Sequence, residues 1–238
     1  RLTGSLLTAD ALRLRSDKLD GRIMVSLNLA TGRYEAGLNG TLGRLYIKGL
    51  GVVDVRSDLR VVPEPGGKGT RIVGRGIAQV VRLDNGFLRT LTGGLPRVVA
   101  SLERAPDGTI RFADLVLTSP LLTLRGSGYR RNDETFHIDA TGRHARYGPV
   151  TMLRLDGKID RPTLDIVFAA PNATMGLSQV RLHLDPTPTG FNVQAQGGSR
   201  LGPFAGTGRI LLLPPGVDDV LFVDRLAVSG TVASGRLA

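Results

Sequence analysis

The chain has 238 residues, of which 41% are apolar and 5% aromatic, and it contains neither cysteine nor tryptophan. The lack of cysteine excludes disulfide bonds, and a mean hydropathy of +0.03 excludes an intrinsically disordered chain. The formal net charge is +10, but only four of the 31 basic residues are lysine, and the arginines are scattered singly. This pattern argues against a nucleic-acid interface. It favours arginines on solvated strand faces, with attraction to anionic lipid head groups as the alternative.

Short runs in which apolar and polar residues alternate occupy most of the chain. Such alternation gives an extended strand one apolar and one polar face. About a dozen such strands with almost no helix between them predict an all-β fold, an elongated antiparallel sheet curled into an open groove. The apolar side chains of the clearest runs are the candidate lining of that groove. They are Leu12, Leu14, Ile23, Val25, Leu27, Leu29, Leu164, Ile166, Phe168, Val180, Leu182, Leu184, Phe191 and Val193.

Tight turns are predicted where Asp, Asn or Thr stands beside Gly or Asp, and among these pairs Asp-Gly and Asn-Gly best match the twist of paired strands. In chain order these are Asp20-Gly21, Thr31-Gly32-Arg33, Asn39-Gly40, Asp107-Gly108, Asn132-Asp133, Asp156-Gly157 and Thr189-Gly190.

One segment departs from the strand pattern. Between Asp84 and Leu91 the apolar residues fall at helical spacing, which predicts one short helix with Asp84 or Asn85 as its cap. Gly93-Gly94 and then Pro96 are predicted to end it. A proline- and glycine-rich stretch at residues 63–70 is predicted to be either an internal domain boundary or a long hairpin tip.

Membrane attachment can be judged from the length of the apolar runs and from the two ends of the chain. No apolar run approaches the roughly 20 residues that span a bilayer. The chain starts at Arg1 without a signal peptide and ends in a strand-like pattern at Ala238. We therefore interpret residues 1–238 as a single β-groove segment of a longer protein, in which any membrane anchor or targeting signal would lie outside this chain.

A search for catalytic or metal-binding groups finds no suitable spacing. His137, His144 and His183 share no metal-ligand spacing, and each is predicted to lie on the surface, although His144 belongs to a local basic cluster. Ser127 stands between two glycines in a motif too short for a nucleophile elbow. Gly74-Arg75-Gly76 favours a β-bulge over a phosphate loop. We expect neither enzymatic activity, nor a metal, nor a cofactor.

Three stretches carry a family resemblance. They are Leu122–Gly128, Leu155–Ile166 and Leu226–Gly235, and the second has the pattern L-x-G-x-I-D-R-P-x-L-D-I. They resemble the strand-turn repeats of the TamB/AsmA-like (YdbH-like) proteins, a family of long periplasmic proteins of Gram-negative bacteria. The same strand-turn pattern extends over nearly the whole chain.

The resemblance implies a taco-shaped β-groove with an apolar inside that carries phospholipids between the inner and outer membranes. It also implies a periplasmic protein anchored to the inner membrane, with an outer-membrane assembly protein as a further partner. The strand pattern is compatible with such a path, because an aliphatic face binds each methylene with roughly 0.8 kcal/mol and no directional preference.

Two other classes of protein fit the same strand pattern. The first is a structural or assembly β-domain with a closed core, used in adhesion or in outer-membrane protein assembly. The second is a catalytic β-domain or an outer-membrane barrel. A barrel needs girdles of aromatic residues, and the chain supplies only four tyrosines and seven phenylalanines.

Overall fold

The computed structural model of the chain describes residues 1–16, 18–63, 69–212 and 221–230, without the side chains of Asp10, Ala11, Leu19, Leu221 and Phe222. The strands in these residues are β1 (Leu2–Thr3), β2 (Leu6–Arg15), β3 (Leu19–Asn28), β4 (Tyr34–Ile47), β5 (Gly51–Pro63), β6 (Thr70–Leu83), β7 (Arg97–Arg104), β8 (Ile110–Thr118), β9 (Leu122–Arg130), β10 (Phe136–His144), β11 (Gly148–Lys158), β12 (Arg161–Phe168), β13 (Ser178–Thr187), β14 (Gly190–Ser199), β15 (Gly202–Leu212) and β16 (Leu221–Gly230). Helix α1 (Gly86–Thr92) lies between β6 and β7.

All of these strands pair in sequence order into one antiparallel sheet of 16 strands, and β1 does not pair with β16. The sheet is therefore open rather than closed on itself. The predicted fold class, an all-β curled open sheet with at most one short helix in the described residues, is confirmed. The prediction of about a dozen strands was too low.

The sheet folds back on itself in its middle. Adjacent strands rotate by roughly 20–25°, so the six steps from β6 to β12 accumulate about 120–150°. Distant turns consequently meet at α1. The side-chain amide of Asn85 donates to the carbonyl oxygens of Gly49 (2.9 Å) and Asp160 (3.0 Å), which lie in the β4–β5 and β11–β12 turns.

Helix α1 has the ends that its sequence predicts. The Asn85 side chain accepts a hydrogen bond from the backbone N–H of Leu88 at 3.0 Å, so Asn85 rather than Asp84 is the N-cap. The helix stops at Gly93, which adopts a left-handed conformation (φ 67°) and donates its N–H to the carbonyl of Arg89.

The turn predictions are confirmed in part. Turns occur at Thr31-Gly32, Asp107-Gly108 and Asn132-Asp133, and at Thr189 immediately before β14. The other pairs lie inside strands, so their prediction as turns was wrong: Asp20-Gly21 is in β3, Asn39-Gly40 in β4 and Asp156-Gly157 in β11.

Close strand approach explains two of these glycines. Gly21 pairs directly with Gly40, and a Cβ on Gly40 would lie 3.1 Å from the Gly21 Cα atom. Glycine is therefore used here for the proximity of two backbones within long strands rather than for a change of direction.

Two sequence predictions concern the β5–β6 region. Gly74-Arg75-Gly76 pairs with β5 without a register shift, so the predicted bulge is wrong. The ladder continues to Pro63 opposite Thr70, so the strands that flank the proposed boundary form one hairpin. Residues 64–68 lie outside the described residues.

The main hydrophobic core lies on the concave side of the middle strands. Its buried members are Phe87, Leu122, Leu124, Ala140, Val150, Leu153, Leu155, Leu164, Ile166, Phe168, Leu184 and Phe191. Glycines allow the tight curvature around it, because a Cβ on Gly126 or Gly128 of β9 would lie 2.1 Å from a carbonyl oxygen of β10. The core is thus enclosed by α1 and by strands of the same curled sheet.

Candidate functional site

One row of side chains crosses the whole sheet. The cross-strand partners form a continuous chain with one residue from each strand between β2 and β16. We call it the central row, and its members are Leu12, Ile23, Leu38, Leu59, Gly74, Leu102, Phe112, Gly128, Ile138, Leu155, Leu164, Leu184, Val193, Gly208 and Leu226. Every member is apolar or glycine. We call the side of the sheet that carries this row the inner face and the opposite side the outer face.

The inner face is closed in its middle and open at both ends. Leu164 in the middle of the central row is 2% exposed, whereas Leu12 and Leu226 near its two ends are 54% and 70% exposed. The same apolar surface therefore serves as a packed core in the middle strands and faces solvent towards both ends.

The structure divides the predicted lining residues by burial. Buried ones are Leu164, Ile166, Phe168, Val180, Leu184 and Phe191; half-buried ones are Ile23, Val25, Leu27, Leu182 and Val193; exposed ones are Leu12, Leu14 and Leu29. The strand register assigns all except Leu29 to the inner face. Leu29 follows the end of β3 and lies in the turn. Their role as a lipid lining stays a prediction.

Sequence reasoning missed the members of the central row in β4 to β11, in β15 and in β16. Glycines and bulges interrupt the simple alternation there, for example at Gly74 and between Phe112 and Leu115. The signal that could have found them is the spacing of apolar residues measured along the paired strands rather than along one strand.

The outer face carries charged groups that pair across strands. Arg154 donates through Nε to Asp139 at 2.9 Å, and His183 Nδ1 lies 2.7 Å from Asp165. The hydrogen bond with Arg154 lowers the pKa of Asp139, and the hydrogen bond with Asp165 raises the pKa of His183. These groups are partly exposed, so they give the sheet a solvated side and contribute little stability individually.

The prediction of surface histidines is wrong for His144, which is 1% exposed. Its Nδ1 atom accepts hydrogen bonds from the N–H groups of Arg146 and Tyr147 at 3.2 and 3.3 Å, and its ring stacks on Tyr147. Burial lowers the pKa of His144. Because Arg143 and Arg146 remain exposed, the basic cluster of the sequence is divided by the fold. His137 and His183 lie among carboxylates on the outer face.

Helix α1 encloses an apolar chamber within the curl. The chamber has a volume of about 380 Å³ and is bounded by β5 to β12. The helix contributes Phe87, Leu88 and Leu91, and the opposite wall includes Leu102 and Phe112. Apart from Thr92, whose hydroxyl lies within hydrogen-bond distance of the Leu88 carbonyl at 2.8 Å, the lining is apolar or glycine. The chamber is therefore suited to an apolar ligand.

The stretches that suggested a family are ordinary parts of the sheet. Leu122–Gly128 forms most of β9, and Leu155–Ile166 covers the β11–β12 hairpin. Leu226–Gly230 lies in β16, and residues 231–235 lie outside the described residues. In comparisons with known proteins, no family model, no curated protein and no solved structure matches this chain.

Within residues 1–16, 18–63, 69–212 and 221–230, no group of three or more His, Cys, Asp or Glu side chains is arranged to hold a metal ion. The same ranges contain no helix with the length and apolar character that a transmembrane span requires.

Proposed function

We propose that this chain is a segment of a periplasmic, bridge-like protein that carries phospholipids between the inner and outer membranes along its inner face. The resemblance to TamB/AsmA-like proteins suggests this role, with an inner-membrane anchor outside the chain and an outer-membrane assembly protein as a further partner. The observation that carries the proposal is the continuity of the central row from Leu12 to Leu226, with exposed apolar side chains at both ends.

The chemistry of this face suits acyl chains. Burial of apolar surface contributes about 25 cal/mol per Å² and has no preferred direction, so a chain on such a face can move without breaking specific polar contacts. Strand spacing of about 4.8 Å makes a sheet of this size roughly 70 Å wide along its surface. An exposed apolar surface of this extent otherwise needs a partner to cover it.

The proposal is tested by the lipid content of the purified chain after expression in a Gram-negative host. Native mass spectrometry followed by organic extraction should recover phospholipid. Leu226→Glu places a charge on the inner face at a site that is already exposed, so the fold should survive and lipid occupancy should fall. Ala227→Glu is the matched control on the outer face of β16 and should leave occupancy unchanged. Lipid-free wild-type protein, or equal occupancy in both variants, would refute the proposal.

A structural or assembly domain with a closed core is the second candidate function. The packed middle of the inner face favours it, because Leu164, Phe191 and their neighbours have the burial of an ordinary core. Under this alternative no lipid is extracted, and Leu226→Glu affects only the binding of a protein partner.

A further inference from the structure

Two arginines lie on the inner face, near one end of its middle strands. Arg104 ends β7 and Arg130 ends β9, and both pair with Ile110 of β8. Each lies two residues beyond a member of the central row on its own strand, and residues two apart in a strand share a face. Among the described strand residues that the register assigns to the inner face, these two alone carry a formal charge.

The arginines lie beside the chamber, although neither of them lines it. Leu102, Phe112 and Phe136 belong to the chamber wall. Arg104 lies two residues, about 7 Å, beyond Leu102 on β7, and Arg130 pairs with Phe136. Two strand spacings, about 10 Å, separate their backbones. Long side chains across that distance can converge on a single anion.

The two guanidinium groups remain accessible to such an anion. Arg104 forms no ion pair with any carboxylate in the described part of the chain. The Arg130 Nη2 atom lies 3.3 Å from Glu134 Oε1, but the Glu134 side chain is 78% exposed. An exposed pair of this kind contributes little, roughly 0–1 kcal/mol, so an incoming carboxylate or phosphate can replace it.

The chamber has the size of one acyl chain. An apolar cavity of roughly 150 Å³ accommodates benzene, which has six carbon atoms. The chamber of about 380 Å³ is about two and a half times larger and therefore accommodates about 15 carbon atoms.

We propose that the chamber binds one acyl chain of an anionic lipid, with the anionic group held between Arg104 and Arg130. Guanidinium groups match the geometry of carboxylate and phosphate alike, so the ligand class is an amphiphile with one buried chain and one anionic head. This inference rests on the proposed function and makes it more specific. It adds a fixed site for the lipid head group to an inner face along which acyl chains otherwise move.

The charged part of the site is tested by binding of palmitate and of the uncharged hexadecanol to the full chain. Arg104→Gln combined with Arg130→Gln should weaken palmitate binding by about tenfold or more for each arginine and leave hexadecanol binding unchanged. Arg125→Gln is the control, because Arg125 is exposed on the outer face of β9. Palmitoyl lysophosphatidate and dipalmitoyl phosphatidate, compared with palmitate, identify whether carboxylate or phosphate is preferred.

The apolar part is tested by a series of fatty acids of increasing length. Affinity should rise about fourfold per methylene and level off near 15 carbons. Ala78→Leu narrows the chamber, since Ala78 lines it, and should move the plateau about three carbons shorter. Ala113→Leu makes the same change at an exposed site of β8 and should not move it.

The outcomes separate this inference from the function on which it rests. A length series without a plateau, or equal palmitate affinity in wild type and the double glutamine variant, overturns the chamber site while phospholipid carriage stands. Failure of the chain to retain any acyl lipid overturns both. A plateau that shifts with Ala78→Leu and an arginine effect confined to charged ligands support the site.

Discussion

Phe87 of α1 packs against Phe191 of β14, with ring centroids 5.0 Å apart and ring planes inclined at 44°. Phe191 is completely buried. This contact joins the helix to a strand in the second half of the sheet, so it fixes how far the sheet curls.

We expect Phe191→Ala to destabilise the fold by about 3–5 kcal/mol, because it leaves a large cavity between α1 and β14. Denaturant unfolding measures this loss. Phe204→Ala, at a half-buried position of β15, should cost clearly less. Equal losses for the two variants would show that the helix contact does not organise the core.

Asn85→Ala should lower the free energy of unfolding by about 2–3 kcal/mol. The variant removes the N-cap, which contributes about 1 kcal/mol, and two hydrogen bonds that contribute about 1 kcal/mol each. Hydrogen exchange should also become faster in α1. Asn39→Ala, at an exposed position of β4, is the control. Unchanged exchange in α1 would contradict the role of Asn85 as the N-cap, and an unchanged free energy of unfolding would contradict its role as the link between the two distant turns.

Gly128→Ala should destabilise the protein by about 1–3 kcal/mol, because the new Cβ would lie 2.1 Å from the carbonyl oxygen of His137. Thermal or denaturant unfolding gives the value. Gly43→Ala is the matched control, since its Cβ would meet only the Asp54 carboxylate, at 3.7 Å. A change within about 0.5 kcal/mol is expected there. If Gly128→Ala is tolerated equally well, curvature at β9 does not depend on glycine.

His144 and His183 should contribute to the free energy of unfolding with opposite dependences on pH. Burial lowers the pKa of His144 below its usual 6.5, so its contribution is present above about pH 6.5 and is lost on acidification below that pH. The hydrogen bond with Asp165 raises the pKa of His183. Its contribution is therefore complete below about pH 6.5 and is lost as the pH rises through the raised pKa.

Unfolding of His144→Gln and His183→Gln between about pH 5 and pH 8 separates these contributions. His144→Gln should lose less stability than wild type on acidification. His183→Gln should differ most from wild type at the acidic end of the range. Parallel pH profiles for all three proteins would contradict both assignments.

The local elements of the fold were predictable from the sequence where short-range chemistry decides them. Alternation predicted strands, because the period of side-chain direction in an extended chain is two. Asn85 and Gly93 delimit α1 through hydrogen bonds to backbone groups a few residues away. Most of the proposed lining residues also share one face, as their spacing along each strand requires.

Long-range packing decided the rest. Asp20-Gly21 and Asn39-Gly40 have the composition of turns, yet they lie within strands, because pairing between Gly21 and Gly40 allows close backbone approach. His144 is buried because the turn after β10 folds over it. No local pattern reports such contacts.

The candidate site shows the same division. The sequence by itself determined that the chain has an apolar face, since each strand carries its own alternation. Only the tertiary structure decided which part of that face is closed, because burial of Leu164 and exposure of Leu226 depend on the accumulated twist of many strands. The placement of Arg104 and Arg130 on either side of Ile110 on the inner face likewise follows from register across three strands, which is a property of paired strands rather than of either residue's neighbours.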